Sequence, residues 1–91
     1  MIFIDEIQNR GRLGQSSKMI SDNGVDELKS FVCKLGMNPA WIKYDSLIPH
    51  INVYPNNRVR AIEAGAKPVT RQEYLQLLVR ISQPKELAEA V

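Results

Sequence analysis

Apolar and polar positions fall into short blocks along this chain, and the blocks set the elements expected of it. Met1-Ile2-Phe3-Ile4 is an apolar run closed by Asp5-Glu6, the pattern of a buried strand. Residues 8–18, QNRGRLGQSSK, have no periodicity and hold two glycines, two arginines and a lysine, which reads as a long basic loop. Lys18-Met19-Ile20-Ser21 reads as a second short strand. Val25, Leu28, Phe31, Val32 and Leu35 then share one helical face. Asp22 or Asn23 is expected to cap that helix, Asp26 and Glu27 suit its positive end, and Gly36 supplies the left-handed stop. Asn38-Pro39 restarts a short turn bearing Trp41, whose indole is expected to plug the core ahead of the alternative, a stacking platform, because a chain this short needs every large apolar side chain.

A second loop over residues 43–50 leads to Ile51-Asn52-Val53, a third strand. Pro55 stands where a helix accepts proline best, so a second helix is expected from there to Ala64, ended by Gly65. Lys67-Pro68-Val69 is short and extended, and its proline confines it to an edge. Thr70-Arg71-Gln72-Glu73 is a capping box, flanked by Val69 and Tyr74 at the staple positions. In the helix that follows, Tyr74, Leu77, Leu78 and Ile81 share a face, and Leu75 and Val79 widen it to roughly 200°. An arc that wide needs cover from the C-terminal segment 84–91 or from a second copy, a homodimer through Leu75, Leu78 and Val79. The element order predicts a small α/β or α+β fold, with one sheet of three to four short strands and three helices. Ninety-one residues fit a single domain, with residues 82–91 as a last helix or a tail.

Composition narrows the function classes. A net charge of +2 is too mild for a general nucleic-acid coat or a membrane-surface protein. No apolar run approaches the ~20 residues of a bilayer span, and Asp5 falls where a signal peptide would want basic residues. The one cysteine, Cys33, cannot form an internal disulfide and lies off the apolar face, so a cytoplasmic setting is expected and a thiol nucleophile is not.

Candidate chemistry concentrates at the strand-to-helix junction from His50 to Arg58. A helix start offers unpaired N–H groups and about half a positive charge. This one also gathers His50, Asn52, Asn56, Asn57 and Arg58, donors suited to phosphate or carboxylate oxygens. Helical spacing puts Arg58 at the core edge and turns Arg60 to solvent. Arg12 and Lys18 in the basic loop would cover a bound anion. That loop lacks phosphate-loop spacing, and Ser16-Ser17 lacks the elbow of a serine nucleophile. Asp5 and Glu6, with Asp22 and Asp45, could hold Mg²⁺, although nothing in their spacing requires it. One His and one Cys exclude the usual zinc sites.

Several strings together resemble a family: Ile4-Asp5-Glu6, Gly11-Arg12, Met19-Ile20-Ser21-Asp22, Glu27-Leu28, Leu35-Gly36, Trp41, His50, and Arg58 with Ala61-Ile62-Glu63-Ala64-Gly65-Ala66 followed by Val69-Thr70. From residue 1 to about 80 the chain resembles the bacterial and phage proteins grouped as domain of unknown function 4031. That resemblance implies a set of polar positions and no reaction. It also implies His where Lys18 stands, a His-Tyr-Asp stretch where His50-Ile51-Asn52 stands, and Ser-Lys where Asn56-Asn57 stands. These exchanges remove proton-transfer capacity and keep attraction for anions.

The expected function is therefore non-catalytic binding of an anionic small molecule, a nucleotide or other phosphorylated metabolite, with no cofactor. The phage members suggest sequestration of a host signal. Two alternatives stand beside it: a metal-dependent nuclease or phosphoesterase using Asp5, Glu6 and His50, and a module that docks on a host protein through the face from Tyr74 to Ile81.

Overall fold

The computed structural model describes residues 1–9, 11, 14–44 and 48–82; Arg12, Asp45 and the segment 84–91 lie outside the described residues. The elements are β1 (Ile2–Ile4), β2 (Gln8–Asn9), β3 (Gln15–Ser21), α1 (Val25–Lys34), a 3₁₀ turn (Pro39–Trp41), β4 (Ile51–Val53), α2 (Pro55–Glu63), β5 (Lys67–Pro68) and α3 (Arg71–Ser82). The fold is the small mixed α/β arrangement that the pattern predicts. Part of the expected basic loop is instead a hairpin, since Gln8 and Asn9 pair with Ser16 and Gln15.

β3 is the centre of the sheet. β1 and β2 run antiparallel along one of its edges, β4 runs antiparallel along the other, and β5 lies parallel to β1 at the margin. Pro68 sits in that marginal strand, where its missing N–H costs no ladder bond. Between Ile4↔Met19 and Gln8↔Ser16 the register slips by one residue, so Asp5, Glu6 and Ile7 face only two residues of β3. This is a β-bulge, and it leaves ladder groups to be satisfied in another way. Asp5 supplies the remedy: its Oδ1 accepts the Lys18 backbone N–H at 2.6 Å, while its own N–H donates to the Lys18 carbonyl at 3.0 Å.

Alternation along the strands sends side chains to two cores. Ile2, Ile4, Met19, Ile51 and Val53 pack with Leu28 and Val32 of α1 and Ala61 of α2. Phe3 and Ile20 point the other way and pack with Ile48, Val69 and Tyr74, against which Leu77, Leu78 and Ile81 of α3 close. The sheet thus lies between α1 and α2 on one face and α3 on the other.

Local signals behave as expected at α3 and differ at α1. Thr70 N–H donates to Glu73 Oε1 and Glu73 N–H to Thr70 Oγ1, both at 3.1 Å. The Thr70 backbone N–H, and then its hydroxyl, hold the Glu73 carboxyl below its ordinary value of 4.5. Its contribution is therefore present at neutral pH and is lost as acid brings the pH through that lowered value. Thr70→Ala is expected to cost about 1 kcal/mol in urea unfolding at neutral pH, and an unchanged midpoint would refute the cap.

α1 begins instead with Gly24 in the capping position, at φ 98° and with no side-chain bond to the helix. Asp22 is drawn away by the Met1 ammonium at 2.7 Å, and the Asn23 N–H donates to Ser21 Oγ. Glu27, in the first turn, accepts from the same ammonium and from Ser21 Oγ, each at 2.6 Å.

Candidate functional site

The junction from His50 to Arg58 divides into two parts with different surroundings. Its strand residues follow the sheet's alternation: Ile51 and Val53 enter the core, and Asn52 faces the side that α3 partly covers. His50 is buried, and its backbone pairs with Lys43 in both directions, N–H to carbonyl at 2.7 and 3.1 Å. This bridge lays the segment around Lys43 along the open edge of β4.

α2 then starts at Pro55 with Tyr54 in the capping position and no side-chain cap. The Arg58 N–H reaches the Tyr54 carbonyl at 2.8 Å, leaving the Asn56 and Asn57 N–H groups at the positive end of the helix. Asn56 is exposed and Asn57 half-buried.

Arg58 sits at the core edge, as helical spacing predicts, and its Nε points into the protein. It donates to Ser17 Oγ at 3.0 Å and to the Asp5 carbonyl at 3.3 Å, tying α2 to the bulge. Arg60 lies on the outer surface, where it caps α1 by donating from Nη2 to the Leu35 carbonyl at 2.7 Å. Lys18 is half-buried and is the direct cross-strand partner of Asn52.

The concavity at this end of the sheet is a cleft of about 490 Å³ lined by Ala40, Trp41, Ile42, Lys43, Asn52 and Tyr54. α3 packs on Phe3, Ile20 and Ile48, and none of its described residues lines the cleft. Trp41 is not the core plug that its size suggests. Asn38 Oδ1 accepts the Ala40 N–H at 2.9 Å and sets the 3₁₀ turn. Ile42 goes to the core, and Trp41 is left 58 % exposed at the cleft.

Tyr54 is 46 % exposed and Tyr44, beyond the rim, 60 %. Three exposed rings on one edge of so small a domain form the kind of apolar surface that marks a binding place. At the floor, Asn52 Oδ1 is buried and accepts no hydrogen bond among the described residues. His50, Asn56, Asn57, Arg58 and Lys18 are not among the described lining of the cleft; Tyr54 and Lys43 were not legible as site residues in the sequence, and Trp41 only as the lesser alternative to a core role.

Residues 2–81 match the family model described as Protein of unknown function (DUF4031). The chain belongs to this family. No curated protein and no solved structure matches it. Lys18 and Asn52, the positions at which the resemblance implies His and Asp, are partners across β3 and β4. Both positions therefore fall at one place on one face.

The acidic residues that could serve a metal are engaged elsewhere. Asp5 is fully buried; besides the Lys18 N–H, it accepts from Arg71 Nη1 at 3.1 Å through Oδ2. Glu6 Oε2 accepts the Arg71 backbone N–H at 2.9 Å, a carboxylate at the positive end of α3. Among the described residues no three His, Cys, Asp or Glu side chains converge as a metal site would require. Cys33 is exposed, apart from any such cluster. On α3, Leu78 packs on its own core, while Leu75 and Val79 face solvent. No helix among the described residues is long and apolar enough to cross a membrane.

Proposed function

We propose that this DUF4031 protein binds an anionic small molecule, a nucleotide or other phosphorylated metabolite, and does not turn it over. The observation that carries the reading is the cleft beside the uncapped start of α2. At about 490 Å³ it has the size of a small-molecule site, with an apolar wall and few polar groups. Lys43 supplies a cation on its lining. Tyr54 both lines the cleft and precedes the first turn of α2, so the helix's positive end lies at the rim.

The reading without turnover draws support from the nearby chemistry. Asp5 and Glu6 are bound by Arg71, and the Lys18–Asn52 pair offers a fixed cation and a neutral amide where an imidazole and a carboxylate would exchange protons. Sequestration of a nucleotide signal is the use to which the resemblance to phage members points.

The test is a thermal-shift and calorimetry panel of phosphorylated compounds on the wild type and on Lys43→Ala. A ligand at a hundredfold excess over Kd should stabilise the fold by about 2.7 kcal/mol. Lys43→Ala should weaken binding by about two- to fivefold, most strongly at low salt, because an exposed ion pair is worth up to about 1 kcal/mol. No shift with any phosphorylated compound, at low or physiological salt, would sink the proposal.

A further inference from the structure

A simple phosphate needs cations and N–H groups and has no use for aromatic walls. The cleft has both kinds of feature: Lys43 on its lining, with α2 starting directly after Tyr54, and the exposed Trp41 and Tyr54 rings. Base–aromatic stacking tolerates any base, since each base has a π-face. Asn52 lines the same cleft, and its buried Oδ1 has no donor among the described residues.

A buried polar atom left without a partner in a native fold calls for a reason, and a ligand site is one such reason. A primary amide carries one acceptor and two donors side by side, which is the complement of a base edge bearing a donor beside an acceptor. A ligand donor that reaches Oδ1 displaces no bond that this oxygen makes.

We infer that the ligand is recognised by its nucleobase, stacked against Trp41 and Tyr54 and read along one edge by Asn52. The inference rests on the small-molecule reading of this cleft and narrows it to nucleotides. It separates two demands on Asn52. For folding, the residue is a liability, because its oxygen is desolvated with no compensating donor among the described residues. For recognition, it supplies the only side-chain amide on the cleft's described lining.

The chain's one tryptophan makes the experiment direct, since Trp41 emission reports on the cleft alone. The four ribonucleoside monophosphates, their nucleosides and ribose 5-phosphate are titrated against the wild type and Asn52→Leu by fluorescence and calorimetry, with urea unfolding of both proteins. At least one monophosphate is expected to quench Trp41 and to bind tenfold or more tighter than ribose 5-phosphate. Asn52→Leu is expected to lose about tenfold for that nucleotide, to leave ribose 5-phosphate unchanged, and to unfold no earlier than the wild type.

Equal binding of ribose 5-phosphate and all four nucleotides would overturn the base inference and leave the anion reading intact. Unchanged nucleotide affinity in Asn52→Leu would overturn the role of its amide. Nucleosides binding as tightly as their monophosphates, with ribose 5-phosphate inert, would uphold the base inference and overturn the anion reading. No binding by any compound would overturn both.

Discussion

Trp41→Ala is expected to weaken binding of the preferred nucleotide by about 5- to 150-fold and to leave the unfolding midpoint almost where it was. The first figure follows from stacking, worth roughly 1–3 kcal/mol per base when an aromatic partner is cut to alanine. The second follows from exposure: a ring 58 % open to solvent removes little apolar surface from water on folding, and surface replacements fall within about 0.5 kcal/mol. Most residues that matter this much to binding also matter to the core, so the separation is diagnostic. Trp41→Phe keeps a π-face of smaller area and should recover part of the loss. Calorimetric titration of the three proteins, each with a urea curve, checks both halves. A large loss of stability in Trp41→Ala would return the indole to the structural role that its size first suggests. Full affinity in Trp41→Ala would remove stacking from the cleft.

The case of Trp41 shows where reading from sequence stops. A large apolar side chain in a short chain is assigned to the core because most are. The rule says nothing about which edge of the sheet goes uncovered. Here the edge beside Trp41 is set by how the segment around Lys43 pairs with His50 and by Ile42 taking the core position, and apolar content alone specifies neither. The local features were legible. Pro55 opens α2, Gly36 adopts φ 79° after α1, and Thr70 and Glu73 bond reciprocally, because proline geometry, left-handed backbone and capping are set within a few residues.

The candidate site was legible in outline only. The helix start and polar residues drew attention to the junction from His50 to Arg58, and of the residues named there only Asn52 is among the described lining of the cleft. Placing Arg58 at the core edge followed from periodicity, but the direction of its Nε depended on a bulge two strands away. The expected cap at Asp22 or Asn23 failed for a similar reason. Short polar side chains favour a helix start only when nothing stronger competes, and the Met1 ammonium lies within 2.7 Å of Asp22.

Asp5 brings the competing explanations of the acidic residues to a single measurement. In the metal alternative its carboxylate is a ligand, so replacing it would abolish turnover and leave the fold much as it was. The hydrogen bonds argue for a different role. Asp5 is fully buried at the bulge, stands in for a backbone acceptor opposite Lys18, and holds Arg71 at the start of α3. Arg71 is 38 % exposed and can regain water, so the ion pair itself is worth less than a fully buried one. The larger cost of Asp5→Ala is the Lys18 N–H left without its acceptor, together with the lost Arg71 bond, about 3 kcal/mol in total.

A chain of this length has roughly 5–14 kcal/mol of stability to lose, so the urea midpoint should fall clearly. Asp5→Asn keeps the shape and an oxygen for Lys18 and should cost only about 1–2 kcal/mol, through the weakened bond to Arg71. Urea unfolding of the two variants, followed by circular dichroism, gives the order: wild type, then Asn, then Ala. If Asp5→Ala unfolds with the wild type, the carboxylate does not hold the bulge, and its burial would need a functional explanation, beginning with the metal chemistry set aside above.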